Sequence, residues 1–153
     1  MSETIPPIAS AAWPLQKSLF NALKDSQPLQ ALLGPDIAVY DTPPAHAPFP
    51  YLTLGTTRMR AYDGIDHGVE HDFSINIYSR YAGRREIKQI IDATYETLHD
   101  AEFNLIDHCL ASLRFVFADA FQRTDINAYQ GLIRFRALTH PLMIPPDNST
   151  PNS

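Results

Sequence analysis

Residues 69–79, VEHDFSINIYS, give the strongest periodic signal in the chain. Apolar or aromatic side chains alternate with polar ones along the whole stretch. One face holds Val69, His71, Phe73, Ile75 and Ile77, and the other holds Glu70, Asp72, Ser74 and Asn76. Strict alternation of this kind is typical of a β-strand with one buried face and one solvated face. We therefore predict a strand here and place the other elements around it.

The predicted strand decides how the overlapping stretch HGVEH, residues 67–71, is interpreted. It fits the H-x-x-E-H pattern of zinc peptidases, which binds metal from a helix, where residues i and i+4 share a face. In a strand, His67 and His71 are ~13 Å apart, at ~3.3 Å per residue, and Glu70 points to the opposite face. We interpret His71 as an inward or interfacial strand residue and His67 as a loop residue. The sequence thus predicts no catalytic residue, no metal ligand and no cofactor.

Two main helices are predicted from apolar residues at helical spacing. Residues 14–25 form the first, and residues 29–34 add one or two turns that end at Gly34. The second helix, within residues 83–100, has one apolar stripe, made of Ile87, Ile90, Ile91, Tyr95 and Leu98.

Four further strands are predicted from period-two or β-branched runs, at residues 37–41, 51–57, 109–120 and 129–139. In residues 109–120, Leu113, Phe115 and Phe117 are expected to share one face. Four prolines make residues 42–50 a stiff, extended loop between two strands.

The order of these elements predicts an α+β fold. It reads helix, three strands, helix, two strands, so the first three strands can pair as neighbours without a crossover. We expect one domain, residues 13–140, with a mixed or antiparallel sheet of about five strands and two main helices packed on one face. Residues 1–12 are expected to be a flexible lead-in, and the proline-rich residues 141–153 a flexible tail.

Composition excludes several classes of protein. The chain has 153 residues, 44% hydrophobic and 19% charged, with a net charge of −5 and a pI near 5.6. Tight general binding to nucleic acid usually needs a basic surface, so it is not expected. A lone cysteine, Cys109, cannot form an internal disulfide. We find no signal peptide and no apolar run near the ~20 residues of a membrane span, and expect a soluble protein made in the cytoplasm.

One basic cluster stands out, formed by Arg80, Arg84, Arg85 and Lys88 at the start of the second main helix. Cations at a helix N-terminus oppose the macrodipole and cost a few tenths of a kcal/mol each. The cluster is either a solvated surface, balanced by the nearby Glu86, or a contact for an acidic protein surface or passing DNA.

The chain resembles the tail completion family of long-tailed bacteriophages, also found in prophages and gene transfer agents. The resemblance spans residues 15–139 and consists of four weak pieces in the right order. They are the helical LQKSLFNALKDSQPLQALLG; VYD followed by FPYLTLG; the long run HDFSINIYSRYAGRREIKQIIDATYETLHD; and the closing strand YQGLIRFRALT.

The resemblance implies a tail terminator, a virion protein at the head-proximal end of the tail that assembles in the host cytoplasm. Such proteins form a ring of identical subunits, commonly a hexamer, on the tail tube. The ring stops tube polymerisation and joins the head connector or stopper protein, and DNA passes through its centre. No membrane partner and no catalytic residue is implied.

A ring needs two different contact surfaces on each subunit. We take as candidates the strand edges, the proline loop, the basic cluster, and the aromatic residues Phe115, Phe117 and Phe121. An acidic lumen would repel phosphate and let DNA slide.

Two alternatives stay open at this point. The chain is also compatible with another head–tail morphogenesis role, such as a head-completion stopper or a tail chaperone. A more distant alternative is a small metal-dependent hydrolase built on HGVEH.

Overall fold

Three helices and six strands make up residues 10–142, the part of the chain that the computed structural model describes. The helices are α1 (Ala12–Lys24), α2 (Gln27–Leu33) and α3 (Arg85–Leu98). The strands are β1 (Val39–Tyr40), β2 (Tyr51–Tyr62), β3 (Gly68–Ser79), β4 (Asn104–Leu105), β5 (His108–Arg123) and β6 (Ala128–Pro141). Residues 1–9 of the expected lead-in and 143–153 of the expected tail lie outside the described residues.

The six strands form a single sheet in the order β1-β2-β3-β6-β5-β4. β1 pairs parallel to β2, and every other neighbouring pair is antiparallel. The predicted α+β class with a mixed sheet is therefore confirmed. None of the described helices is long and apolar enough to span a membrane.

The centre of the sheet is the antiparallel pair β3 and β6, which run in register from Val69 opposite Thr139 to Ser79 opposite Tyr129. The predicted strand at residues 69–79 is confirmed. Its inward side chains Phe73, Ile75 and Ile77 are buried in the core.

All three helices contribute to one core on one face of the sheet. α1 and α2 bury a leucine series and α3 buries Ile87 and Ile90, all in the same cluster as Phe73, Ile75 and Phe135. Ile91 is partly buried and packs against this cluster. Gly131 of β6 lets α3 approach closely, because a Cβ there would lie 3.1 Å from Ile87 Cγ2 and 3.2 Å from Ile91 Cδ1.

Local signals explain where α2 begins and ends. The hydroxyl of Ser26 accepts a hydrogen bond from the backbone N–H of Leu29 at 3.1 Å, which caps the first turn. Gly34 ends the helix with φ 88°, a conformation that a side chain would disfavour. The predicted end at Gly34 is confirmed.

The structure corrects the sheet in several places. β1 is limited to Val39–Tyr40 within the predicted residues 37–41, and β6 extends beyond both predicted ends, from Ala128 to Pro141. β2 continues to Tyr62, five residues past the predicted end, because residues 58–62 pair with β3 and the turn begins only at Asp63. A sixth strand, β4, lies in a segment interpreted as a polar connector. β5 also extends beyond both predicted ends, from His108 to Arg123.

Candidate functional site

The helices leave the opposite face of the sheet bare among the described residues, and we call it the open face. Strand alternation and register place on it the side chains that pair in rows across β2, β3, β6 and β5. One such row runs Arg58, Asp72, Arg136, Arg114. The open face is a continuous surface across four strands that no described helix covers.

Charge is segregated onto the open face. Six arginines lie there: Arg58, Arg60, Arg114, Arg123, Arg134 and Arg136. They are half of the twelve lysines and arginines in a chain with a net charge of −5. Three carboxylates, those of Glu70, Asp72 and Asp119, occupy strand positions on the same face. The open face is therefore basic in an acidic protein.

Two of these carboxylates form an ion network at the centre of the open face. Glu70 contacts Arg60 at 2.6 Å and Arg136 at 3.3 Å. Asp72 contacts Arg136 at 3.2 Å and Arg60 at 3.8 Å. The carboxylate side chains are only 13% and 10% exposed, because the two guanidinium groups cover them from either side. The hydrogen bond to Glu70 also raises the pKa of Arg60.

The other open-face arginines are engaged to different degrees. Arg114 pairs with Asp100 at 2.8 Å, and Arg123 bonds both Asp125 and Gln130. Arg134 lies over the Phe117 ring, with 6.0 Å to the centroid. Arg58 faces Asp72 in register, and no ion pair with it is found among the described residues.

The basic cluster predicted from sequence lies at the start of α3. Arg80, Arg84, Arg85 and Lys88 are all exposed there. Arg80 lies 4.2 Å from the centroid of the Phe49 ring, and Arg84 lies 5.6 Å from that of Tyr129. The structure thus brings the cluster together on the helix side, and its role in an interface stays a prediction.

The three candidate phenylalanines do not share a face. Phe115 lies on the helix side and packs edge-on against Tyr95 at 5.0 Å and Phe135 at 6.2 Å. A register shift between Phe115 and Phe117 inserts Val116 as an extra residue and turns Phe117 to the open face. Phe121 is also on the open face, and both are partly exposed. The expectation that Phe115 and Phe117 lie together was wrong for this reason.

The sequence interpretation missed the open-face arginines as a group. Their signal is the spacing R-x-R, at residues 58–60 and 134–136, which places both members of each pair on one side of a strand. What the sequence does not show is that these two strands flank the same carboxylates of β3.

The HGVEH residues point in different directions. His67 is in a turn with φ 55° and is 73% exposed, while His71 is fully buried on the helix side. Glu70 belongs to the ion network on the open face. Within residues 10–142, no three His, Cys, Asp or Glu side chains come together in a way that could hold a metal ion.

His71 is instead a core residue with a hydrogen-bond partner for only one of its two ring nitrogens. Its Nε2 lies 2.8 Å from the hydroxyl of Thr139, and its buried Nδ1 has no hydrogen-bond partner among the described residues. Burial lowers the pKa of His71, and the charge of nearby His108 lowers it further.

At each edge of the sheet, a two-residue strand pairs with only part of the long strand beside it. β1 pairs with Leu52 and Thr53 of β2, so residues 57–62 have no further strand beside them within the described part of the chain. β4 pairs with the first two residues of β5, and His99 and Asp100 bond the edge at Phe115 and Leu113. Residues 116–123 follow as the second open edge.

Comparison with known proteins gives a family and a structural neighbour. The family model described as Tail completion protein gp17 matches residues 17–140. A chain in the solved structure titled "Virion of native gene transfer agent (GTA) particle" is 30% identical, with a TM-score of 0.76. The match covers 85% of the present chain and 97% of the other. No curated protein matches.

Removing Arg136 should destabilise the fold. Arg136→Ala takes one partner from each of two poorly exposed carboxylates, so we expect the free energy of unfolding to fall by about 1–3 kcal/mol. Arg58→Ala is the matched control, since Arg58 flanks the same Asp72 from the other side without an ion pair, and we expect a change within about 0.5 kcal/mol. Urea denaturation measures both. Equal losses would contradict the network.

His71 should make stability depend on pH. Its pKa is lowered in the folded state, so the unfolded chain takes up the proton first as pH falls below about 6.5. The contribution of neutral His71 to the free energy of unfolding is fully present above that pH. It declines below that pH by up to about 1.4 kcal/mol per pH unit. His71→Gln should flatten the decline between about pH 6.5 and 5.5 in urea denaturation. An unchanged slope would show that other groups cause it.

Proposed function

The chain belongs to the tail completion protein family and is a structural component of a phage-like tail, and we propose that it acts there as a tail terminator. In this role it caps the tail tube at the head-proximal end and joins it to the head connector or stopper protein. The observation that carries the proposal is the family match along residues 17–140. The family is one of virion components and not of enzymes.

The proposed terminator is a ring of identical subunits, a hexamer by resemblance to the family. A closed ring needs head-to-tail contacts between two different surfaces of each subunit. The open edges of β2, at residues 57–62, and of β5, at residues 116–123, lie on opposite sides of the sheet and meet this requirement. Unpaired strand edges are natural templates for pairing with another chain.

The strand directions favour pairing between these two edges. β2, β3, β6 and β5 alternate in direction, so β2 and β5 run antiparallel. A neighbour rotated about an axis along the strands would place its β5 antiparallel to β2. The two open edges lie at different levels along the strands, so neighbours would be offset by ~20 Å at ~3.3 Å per residue. Closed sheets accommodate such an offset by tilting their strands.

Other surfaces would serve the contacts with the tube and the connector. The basic cluster of Arg80, Arg84, Arg85 and Lys88 is exposed at one end of the sheet and fits an acidic protein surface. Phe117 and Phe121 supply exposed aromatic area on the open face. Phe115 packs against α3 and would hold this part of β5 in place. DNA would pass through the lumen of the ring.

Deletion of the protein from its parent particle tests the role. Electron microscopy should show heads without tails and tubes longer than normal, and the wild-type chain supplied in trans should restore joined particles. Particles of normal length and assembly in the deletion would contradict the proposal. A protein needed for assembly but absent from finished particles would be a chaperone.

Two variants test the edge contact in the same assay. Phe121→Glu puts a charge on the open edge of β5 and should fail to restore joined particles. Ile106→Glu makes the same kind of change at an exposed residue between β4 and β5, outside both open edges, and should restore them. Equal activity of the two variants would place the subunit contact elsewhere.

A further inference from the structure

We propose that the open face is the surface that meets DNA, and that its arginines contact the phosphate backbone without reading sequence. This inference rests on the proposed ring, through which DNA passes, and identifies the residues that face the nucleic acid. It replaces the expectation of an acidic lumen with a mildly basic one.

The positive charge of the open face favours a polyanion as its binding partner. Three carboxylates at strand positions, together with Asp100 and Asp125, which pair with Arg114 and Arg123, offset part of the charge of the six arginines. The open face keeps a net charge of +1, while the whole chain carries −5, so the remainder carries −6. DNA interfaces are strongly positive, and half or more of their hydrogen bonds go to phosphate oxygens and sugar. Arg58 and Arg134, which have no ion pair within the described residues, can donate hydrogen bonds to such a backbone.

Arginine is also the side chain whose geometry suits phosphate, since its planar fork donates two parallel hydrogen bonds. Arg58 and Arg134 are the best placed, because neither has an ion pair within the described residues. Arg60 and Arg136 are held by Glu70 and Asp72, which fixes their orientation and offsets part of their charge.

The amides of Gln130 and Asn76 on the open face bond to each other and to Arg123. Gln130 donates from Nε2 to Asn76 Oδ1 at 3.0 Å, and its own Oε1 accepts from Arg123 at 2.6 Å. A six-stranded sheet face is also too broad to enter the major groove as a helix or a two-stranded ribbon does. Contact should therefore be independent of sequence.

The internal carboxylates keep the contact weak. With two guanidinium groups free to replace counterions, those of Arg58 and Arg134, affinity should fall about 12-fold as salt rises from about 50 to about 200 mM. Weak contact of this kind leaves DNA free to slide along the surface.

The test is binding of the purified full chain to a fluorescein-labelled duplex of ~30 base pairs, followed by anisotropy at several salt concentrations. Arg58→Glu combined with Arg134→Glu should lower affinity at least ~10-fold. The matched control, Arg84→Glu with Arg85→Glu, makes the same change in net charge on the helix side and should lower it less than ~3-fold. Arg58→Lys with Arg134→Lys keeps the charges and should retain most of the affinity.

Three results would overturn the inference. One is no salt-dependent binding by the wild-type chain, and another is an equal or larger loss from the Arg84 and Arg85 pair. The third is unchanged DNA binding by the Arg58 and Arg134 pair together with lost binding to the tail tube protein, which would make the open face a protein contact. Thermal melting confirms that each variant is folded. The deletion assay tests the proposed function separately. If heads and tails fail to join without the chain and join again when it is supplied in trans, the proposed function holds even if the DNA-binding inference fails.

Discussion

The register between β3 and β6 is the constraint on which the rest of the structure depends. Eleven consecutive residues of β3 face eleven of β6 at the centre of the sheet. Because side chains alternate between faces, a slip of one residue in β3 would exchange its two sets of side chains. Glu70 and Asp72 would then enter the core beneath the helices, and Phe73 and Ile75 would face solvent. The helix-covered core and the arginine-rich open face both follow from this register.

The sequence predicted the elements whose periodicity is strong and missed those that depend on partners. β3 and α3 were predictable because every residue of their apolar faces follows one period. The second half of β2 was not, since residues 56–62 are exposed and have no apolar pattern. Phe117 lies on the face opposite to the predicted one because Val116 forms a bulge. No residue type in that run indicates a bulge. The ion network could not be predicted without knowing that β2 and β6 flank β3.

The strand conformation of residues 68–79 also explains why this chain fits a structural subunit and not a metal-dependent enzyme. The HGVEH stretch has the residue types of a metal site, but an extended backbone sends His71 into the core and Glu70 into an ion network. What the fold offers instead is a six-stranded sheet with an open edge on each side, as an assembling subunit requires. Family membership agrees with this interpretation, since tail completion proteins are structural components of particles. The open face adds a surface whose charge differs in sign from that of the whole chain.

Amide hydrogen exchange of the purified chain, resolved by residue, tests the central pairing most directly. If the register of β3 and β6 holds the fold together, the amides of both strands should exchange slowest, with a common free energy equal to that of global unfolding. Residues 57–62 of β2 and 116–123 of β5 should exchange faster than β3 and β6, because their outer edges have no partner strand in the described structure. Exchange of β3 amides independently of β6, or as fast as residues 57–62, would contradict the account.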